Sequence, residues 1–190
     1  MKGNKLSKKA GQKPCVSDTI LFFIMKEKNG EHPFGDAGQL ILFGLFFLVW
    51  AGDSFFLHLS TFLSAYVPLY IRLAILVVAF ITALYLFRSG HVVVDREHKP
   101  DKVVTSGAFK HIRHPLYLAS ILAYFGLAIS TLSLLSLALF AGIFIFYNYL
   151  ATYEEKLLEE KFGEEYIKYK QKTGKWVPRI GRNKSKAPDS

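Results

Sequence analysis

Long apolar runs are the feature that most constrains the fold of this chain. Charged residues fall mostly between the runs, whereas a soluble fold would interleave apolar and polar residues at a period of 3.6 or 2. About 20 apolar residues of helix cross the hydrocarbon core of a bilayer. The sequence therefore predicts an all-α fold, a polytopic membrane helical bundle with about four transmembrane helices. The predicted spans are residues 39–59, 68–87, 116–129 and 132–150.

The connections between these spans predict the topology. Only Ser130 and Thr131 separate the last two runs, which indicates a tight antiparallel helical hairpin. Residues 60–67 contain no Lys or Arg, whereas residues 88–114 contain six, so the positive-inside rule places the longer segment and both termini in the cytoplasm. After Leu150 the pattern becomes amphipathic, which predicts a C-terminal cytoplasmic helix along the membrane interface.

The chain therefore divides into three parts. We predict a basic cytoplasmic N-terminal segment at 1–38, a membrane domain at 39–180 and a polar tail at 181–190. The net charge of +9 is assigned to topology and anionic lipids rather than to nucleic acid, because the basic residues flank apolar runs. We also predict no metal site, because the histidines at 91, 98 and 111 are irregularly spaced and form no His-Glu-x-x-His motif.

Two charged residues lie inside the first two apolar runs. A charge in a membrane segment usually has a partner or a function, so we interpret Asp53 and Arg72 as a structural pair near the outer end of the bundle. Two alternatives stay open. Both side chains can simply reach the outer interface, or they can mark a transport path.

The predicted hairpin brings a second set of polar residues together. His114 lies 17 residues before Thr131 and Glu154 lies 23 after it, so both return to a similar depth, with a mismatch of roughly 9 Å. Pro115 suits the first turn of a helix, whose free N–H groups favour an anion. The hairpin thus predicts a polar mouth at the cytoplasmic end, with simple topology anchors and a solvated acidic face as the alternatives.

Four short motifs resemble one family when they are taken together and in order. They are the run Val103-Val104-Thr105-Ser106-Gly107-Ala108-Phe109, the run Arg113-His114-Pro115-Leu116-Tyr117, the pair Glu154-Glu155, and Phe162-Gly163-Glu164-Glu165-Tyr166. This combination resembles the isoprenylcysteine carboxyl methyltransferase and phospholipid methyltransferase family of integral membrane enzymes. The likeness covers roughly residues 70 to 180.

The resemblance implies S-adenosylmethionine as the cofactor. It also implies a cytoplasmic pocket that the C-terminal helices close. Carried over by position, the cofactor-binding residues would be Asp101, Lys102, Val103, Val104, Phe109, His114, Pro115, Leu116, Tyr117 and Glu154.

Three positions depart from the family pattern. Phe109 stands where the family commonly has Tyr, so a phenolic hydrogen bond is missing while ring packing can persist. Asp101 stands where His is frequent, which alters the local charge. Leu150 stands at the substrate position where the prenylcysteine enzymes have an Arg, and this change puts a carboxylate acceptor in doubt.

The predicted reaction is methyl transfer to a lipophilic acceptor at the cytoplasmic membrane face. The acceptor can be a prenylcysteine-like carboxylate, a lipid amine or another small lipophilic nucleophile, with membrane lipids as the other partners. An ammonium-bearing acceptor must first lose a proton, and His111, Tyr117 and Glu155 are the candidate catalytic bases. Two rival interpretations are an NADPH-dependent membrane reductase resembling the sterol reductases and a non-enzymatic lipid-binding membrane protein.

Overall fold

The computed structural model describes residues 35–96 and 102–179, and helices dominate both ranges. Most of the predicted N-terminal segment, Asp101 and the polar tail lie outside the described residues. The described ranges hold no β-strand beyond one isolated bridge, so the all-α prediction is confirmed there. The helices are α1 (Gly35–Ala51), α2 (Leu69–Arg96), α3 (Pro115–Thr131), α4 (Leu134–Phe162) and α5 (Glu164–Lys172). A π-helical turn, Gly52–Leu57, extends α1, and 3-10 turns form at Phe62–Ala65 and Gly107–Lys110.

Three helical segments in the described part of the chain are long and apolar enough, by length and composition, to cross a membrane. They are Ala37–Leu57, Leu69–Val92 and Leu134–Phe162. The third predicted run corresponds to α3, which has 17 residues and is therefore about 26 Å long. That length is slightly less than the roughly 30 Å of a hydrocarbon core. The three longer segments support an integral membrane protein.

Helix α3 is the centre of the bundle. Each of its residues is buried or half-buried, whereas α1 and α2 expose large apolar side chains such as Leu48 and Val78. The main core cluster joins α1, α3 and α4 through Phe46, Tyr124 and Tyr147. Helix α2 approaches α3 closely at small residues, since a Cβ on Gly126 would lie 3.1 Å from the Ala79 Cβ, and such close contacts are common between membrane helices.

Two predicted boundaries differ from the observed helices. Helix α2 continues beyond residue 87 to Arg96, so the first part of the predicted polar segment is helical. Helix α4 continues beyond Leu150 to Phe162 and ends at Gly163, where φ is +55°. Residues 143–162 contain no Gly or Pro that could end the helix. The amphipathic residues that follow Leu150 therefore belong first to α4 and only afterwards to α5.

The predicted pair of Asp53 with Arg72 is wrong. Buried Asp53 accepts hydrogen bonds from the backbone N–H of Ser60 at 3.0 Å and from the hydroxyls of Ser60 and Ser133. Arg72 Nη1 donates to the carbonyl of Ser130 at 3.0 Å. The carbonyls of the last turn of α3 have no partner within the helix and carry partial negative charge, so they attract the guanidinium. Nearby serines satisfy the carboxylate instead.

Candidate active site

A polar mouth lies where the N-terminus of α3 faces the second half of α4. Leu132 and Ser133 connect the two helices, two residues later than the predicted turn at Ser130 and Thr131. His114 lies 17 residues before the end of α3 at Thr131, and Glu154 lies 20 residues after the start of α4 at Leu134. The difference in depth between the two side chains is therefore about 4.5 Å instead of the predicted roughly 9 Å. His114 Nδ1 lies 3.7 Å from a Glu154 carboxylate oxygen. This distance confirms the predicted approach of the two side chains.

Glu155 is the centre of a buried ionic network beside His114. Its Oε1 accepts from Arg113 Nε at 2.9 Å and lies 3.3 Å from His114 Nε2, while its Oε2 lies 3.2 Å from Lys170 Nζ. Arg113 Nη1 also donates to the carbonyls of Lys170 and Thr173. Breaking such a buried pair leaves an uncompensated charge, so the network ties α4 and α5 to the segment before α3.

His114 is the residue immediately before α3, and Pro115 occupies the first helical position. Burial lowers the pKa of His114 because the imidazolium loses its hydration, although the hydrogen bond and charge of Glu155 act in the opposite direction. Arg113 already occupies the same carboxylate, which weakens that opposing effect. The imidazole is therefore neutral at pH 7.

His114 and Tyr117 contact the Glu154 carboxylate, and two further aromatic rings lie next to these two side chains. The rings of His114 and Tyr117 are stacked, with centroids 5.7 Å apart and planes at 2°, and the Tyr117 hydroxyl donates to Glu154. The ring centroids of Tyr147 and Tyr117 are 5.3 Å apart, and those of Trp176 and His114 are 5.9 Å apart. We call these four rings the aromatic mouth. A carboxylate among aromatic faces is a chemical environment that favours an ammonium or sulfonium cation.

Residues 173–179 form a C-terminal strap that returns from α5 to the mouth. Backbone hydrogen bonds join Arg113 N–H to Gly174 O at 2.9 Å and Gly174 N–H to His111 O at 3.3 Å. A Cβ on Gly174 would lie 1.6 Å from the carbonyl oxygen of Val177, so only glycine fits this turn. The strap thereby brings Trp176 beside His114.

The structure distributes the other predicted cofactor-binding residues over two surfaces. Pro115 and Leu116 pack against Gly90 of α2, where a Cβ would lie 2.9 Å from Leu116 Cδ2. The segment before α3 is instead tethered to α5. Glu165 accepts from the Val103 N–H at 3.2 Å, and Tyr169 donates to the Phe109 carbonyl at 2.6 Å. In this segment Lys102 is exposed and Val104 is half-buried.

The three candidate bases also differ in their surroundings. His111 is exposed and contributes its carbonyl to the strap, Tyr117 lies within the aromatic mouth, and Glu155 is held by Arg113 and Lys170. Leu150 is buried on α4, one turn before Glu154. The structure therefore brings His114, Tyr117 and Glu154 together and leaves His111 at the rim.

Sequence reasoning missed the strap residues Lys175 and Trp176 and their partner Asn148. Lys175 Nζ donates to Asn148 Oδ1 at 3.0 Å, and Trp176 Nε1 donates to the same oxygen at 3.3 Å. A signal was present in the sequence, because Asn148 is a lone amide inside the last apolar run. An amide at such a place usually has a polar partner.

The match to a known family extends over more than half of the chain. The profile of the phospholipid methyltransferase family matches residues 64–165 of the 190. The chain belongs to this family. The matched range of the family includes His114, Tyr117, Glu154 and Glu155, but it ends before the strap.

Individual relatives in the family are methyltransferases by name. Methanethiol S-methyltransferase 1 of Bradyrhizobium diazoefficiens is 34% identical over 86 residues, which are 45% of this chain and 30% of that protein. Protein-S-isoprenylcysteine O-methyltransferase of Saccharomyces cerevisiae is 34% identical over 94 residues, 48% of this chain and 38% of that one. Methanethiol S-methyltransferase of Crocosphaera subtropica is 29% identical over 146 residues, 76% and 49% of the two chains.

These relatives support an enzyme that needs a methyl donor. The chain spans less than half the length of the curated relatives it matches. Two acceptor chemistries appear in their names, a thiol and a prenylated cysteine.

Proposed function

We propose that this protein transfers a methyl group from S-adenosylmethionine to a lipophilic acceptor at the cytoplasmic face of a membrane. The observation that carries the proposal is the contact of His114, Tyr117 and Glu154 at one end of an apolar helical bundle. A chain of the phospholipid methyltransferase family needs a donor site, and this cluster has the chemistry to form one.

The residues of the aromatic mouth fit a cationic donor. The side chain of Glu154 is 17% exposed, so its carboxylate is largely shielded from water yet open to a ligand. A positive charge placed there would face both the carboxylate and the rings of Tyr117 and Trp176. When bound, S-adenosylmethionine supplies an activated methyl group on a sulfonium. The first turn of α3 offers N–H groups to the carboxylate end of such a ligand.

The remaining predicted cofactor-binding residues would shape the pocket from its sides. Lys102, Val103, Val104 and Phe109 lie on the segment that α5 holds in place. Pro115 and Leu116 fix the start of α3 against α2. We propose that Asp101, which lies outside the described residues, is a further cofactor-binding residue.

For the topology, we propose four spans in which α1, α2 and α4 surround α3. The last two spans then form the hairpin, α5 lies along the cytoplasmic interface, and both termini are cytoplasmic. The membrane domain would comprise residues 39–180, between a basic segment at 1–38 and a polar tail at 181–190. A lipophilic acceptor then reaches the mouth laterally from the bilayer.

The nature of the acceptor determines whether a base is needed. A carboxylate or thiolate attacks without losing a proton at the transfer step, whereas an ammonium must be deprotonated first. Tyr117 is the best placed of the three candidate bases, because it contacts Glu154 inside the mouth. Glu155 is a poorer base because Arg113 and Lys170 stabilise its ionised form. Leu150 leaves the substrate position without a guanidinium that could pair with a carboxylate, which favours a thiol or an amine as the acceptor.

The first test is calorimetric binding of S-adenosylmethionine and S-adenosylhomocysteine to the detergent-purified protein. We expect saturable binding that is about tenfold weaker in Glu154→Gln, because one charge-assisted contact is lost. Thr82→Val is the control, since Thr82 is exposed on α2 and bonds only within its own helix, to the Val78 carbonyl at 2.8 Å.

Other results would contradict the proposal. Saturable NADPH binding without binding of either methionine derivative would favour a reductase, although the relatives above are methyltransferases by name. A folded protein that binds none of these ligands would favour the lipid-binding alternative. Equal affinities of wild type and Glu154→Gln would place the donor elsewhere.

A further inference from the structure

A polar tie fixes the C-terminal strap to the outer surface of α4. Lys175 Nζ donates to the backbone carbonyl of Asn148 at 3.1 Å, to Asn148 Oδ1 at 3.0 Å and to Thr152 Oγ1 at 2.7 Å. Trp176 Nε1 donates to the same Oδ1 at 3.3 Å. The three hydrogens of the ammonium thus all have acceptors, and Asn148 holds two consecutive strap residues.

The tie accounts for an otherwise unfavourable amide. Asn148 is exposed on a helix whose neighbouring surface is apolar, as Ile145 and Tyr149 show. Moving an amide without hydrogen-bond partners from water to such a surface costs free energy. Here Asn148 Oδ1 accepts hydrogen bonds from Lys175 and Trp176, so the strap supplies the partners that the amide oxygen needs.

The position of the strap matters because Trp176 borders the aromatic mouth. Its ring centroid lies 5.9 Å from that of His114 and 6.1 Å from that of Phe144, and the side chain packs against the main core cluster. Gly174, immediately before the tie, forms backbone hydrogen bonds with His111 and Arg113. The strap therefore has one attachment on the α3 side of the mouth and one on α4, with Trp176 next to the second attachment.

We propose that Asn148 is a positioning residue that keeps Trp176 closed over the mouth, and that Trp176 forms an outer wall of the donor site. Release of the tie would leave the attachment at Gly174 in place and free the indole to leave His114. The role of the tie in holding Trp176 follows from the contacts alone. The role of Trp176 as a wall of the donor site rests on the proposed function.

The chain allows a direct measurement, because it contains two tryptophans. Trp50 lies at the other end of the bundle, where its Nε1 donates to the Leu127 carbonyl at 2.9 Å. A Trp50→Phe protein therefore reports on Trp176 alone. In this background we compare Asn148→Leu, which removes the Oδ1 that accepts from both Lys175 and Trp176, with Thr152→Val, which removes one further acceptor of Lys175.

Thr82→Val is the matched control for Thr152→Val. Both threonines are exposed and donate to the carbonyl four residues earlier, Val78 O for Thr82 and Asn148 O for Thr152. Of these two threonines, Thr152 is the one that accepts from Lys175. A difference between the two variants therefore isolates the contact with the strap.

Without ligand, we expect the emission of Trp176 to shift to the red and its quenching by acrylamide to increase in Asn148→Leu, and less strongly in Thr152→Val. S-adenosylmethionine should protect Trp176 in the Trp50→Phe background. Its Kd should rise about three- to tenfold in Asn148→Leu, the loss expected for a partly exposed contact to a charged group. Thr82→Val should change neither the fluorescence of Trp176 nor the Kd of S-adenosylmethionine.

The outcomes separate this inference from the proposed function. Unchanged quenching of Trp176 in both Asn148→Leu and Thr152→Val would overturn the tie. Increased quenching with an unchanged Kd would overturn the role of Trp176 as a wall of the site. If the wild type binds neither S-adenosylmethionine nor S-adenosylhomocysteine, the proposed function and the wall role both fail, while the ligand-free quenching still decides the tie.

Discussion

Glu154 and Glu155 are adjacent in sequence but have different surroundings. The Glu155 side chain is 6% exposed and contacts Arg113 and Lys170, whereas Glu154 is 17% exposed and contacts Tyr117. Successive residues of a helix point about 100° apart, so one carboxylate faces the ionic network and the other faces the mouth. The sequence predicted that the pair lies at the mouth, but the different contacts depend on α5 and could not be inferred from spacing.

His114 is expected to make the stability of the protein depend on pH. Its pKa is lowered by burial from the usual 6.5, so the unfolded chain binds more protons than the folded one just below that pH. Stability should therefore be constant above pH 6.5 and fall as the pH drops below it. The loss approaches about 1.4 kcal/mol per pH unit for a single proton.

This pH dependence can be measured as the apparent midpoint of thermal unfolding in detergent between pH 5 and 7.5. In His114→Gln the slope below pH 6.5 should be shallower, because the titrating group is gone. His111→Gln is the control, since His111 is exposed. Identical slopes for wild type and His114→Gln would show that another group is responsible.

At the scale of elements, α4 connects the two polar ends of the bundle. Its first turn is capped by Ser133, whose hydroxyl accepts from the Ser136 N–H at 3.1 Å and donates to Asp53. Its other half contains Glu154 and Glu155. A shift of α4 along its axis would therefore move the carboxylates relative to His114, and the cap fixes that register.

Ser133→Ala should destabilise the protein by about 2 to 3 kcal/mol. About 1 kcal/mol comes from the lost helix cap and the rest from removing one donor to buried Asp53. Unfolding in a mild detergent titrated with SDS measures the change. Thr82→Val serves again as a comparison, and a Ser133→Ala protein as stable as this control would contradict the role of the cap.

Hydropathy predicted where the helices lie better than where they end. The predicted end at Leu150 marks where charged residues become frequent, but a helix continues for as long as its backbone hydrogen bonds are made. The observed helix ends at Phe162, and Gly163 caps it with a positive φ of +55°. The Asp53 contacts were missed because Ser60 and Ser133 lie in the loops before α2 and α4, and sequence spacing does not show that their hydroxyls reach the carboxylate.

At the scale of the whole molecule, the proposed topology places the turn between α1 and α2 outside and α5 inside. The chain has a single cysteine, Cys15, so a Cys15→Ser background allows site-specific labelling. In intact cells, a membrane-impermeant maleimide should label Ser64→Cys. Lys172→Cys, exposed at the end of α5, should react only after permeabilisation. The reverse pattern would invert the topology, and labelling of both in sealed cells would rule out an interior α5.

The mouth could be predicted because it depends on a few local quantities, namely the position of one turn and the rise of two helices. The central position of α3 could not be predicted, because all four apolar runs look alike and hydropathy does not show whether a helix is surrounded by lipid or by protein. The strap also depends on tertiary contacts of Trp176 and Lys175 far from their sequence neighbours. Only the lone amide of Asn148 hinted at it.

In the proposed reaction, the shortness of α3 affects the depth at which donor and acceptor meet. With the outer ends of the helices level, a 17-residue helix ends about 4 Å before the far edge of a 30 Å hydrocarbon layer. His114 would then lie at the depth of the upper acyl carbons, below the headgroups. In the proposed reaction, an acceptor dissolved in the bilayer would reach that depth without leaving the membrane, and the water-soluble donor would have to enter from the cytoplasm to the level of the acyl chains.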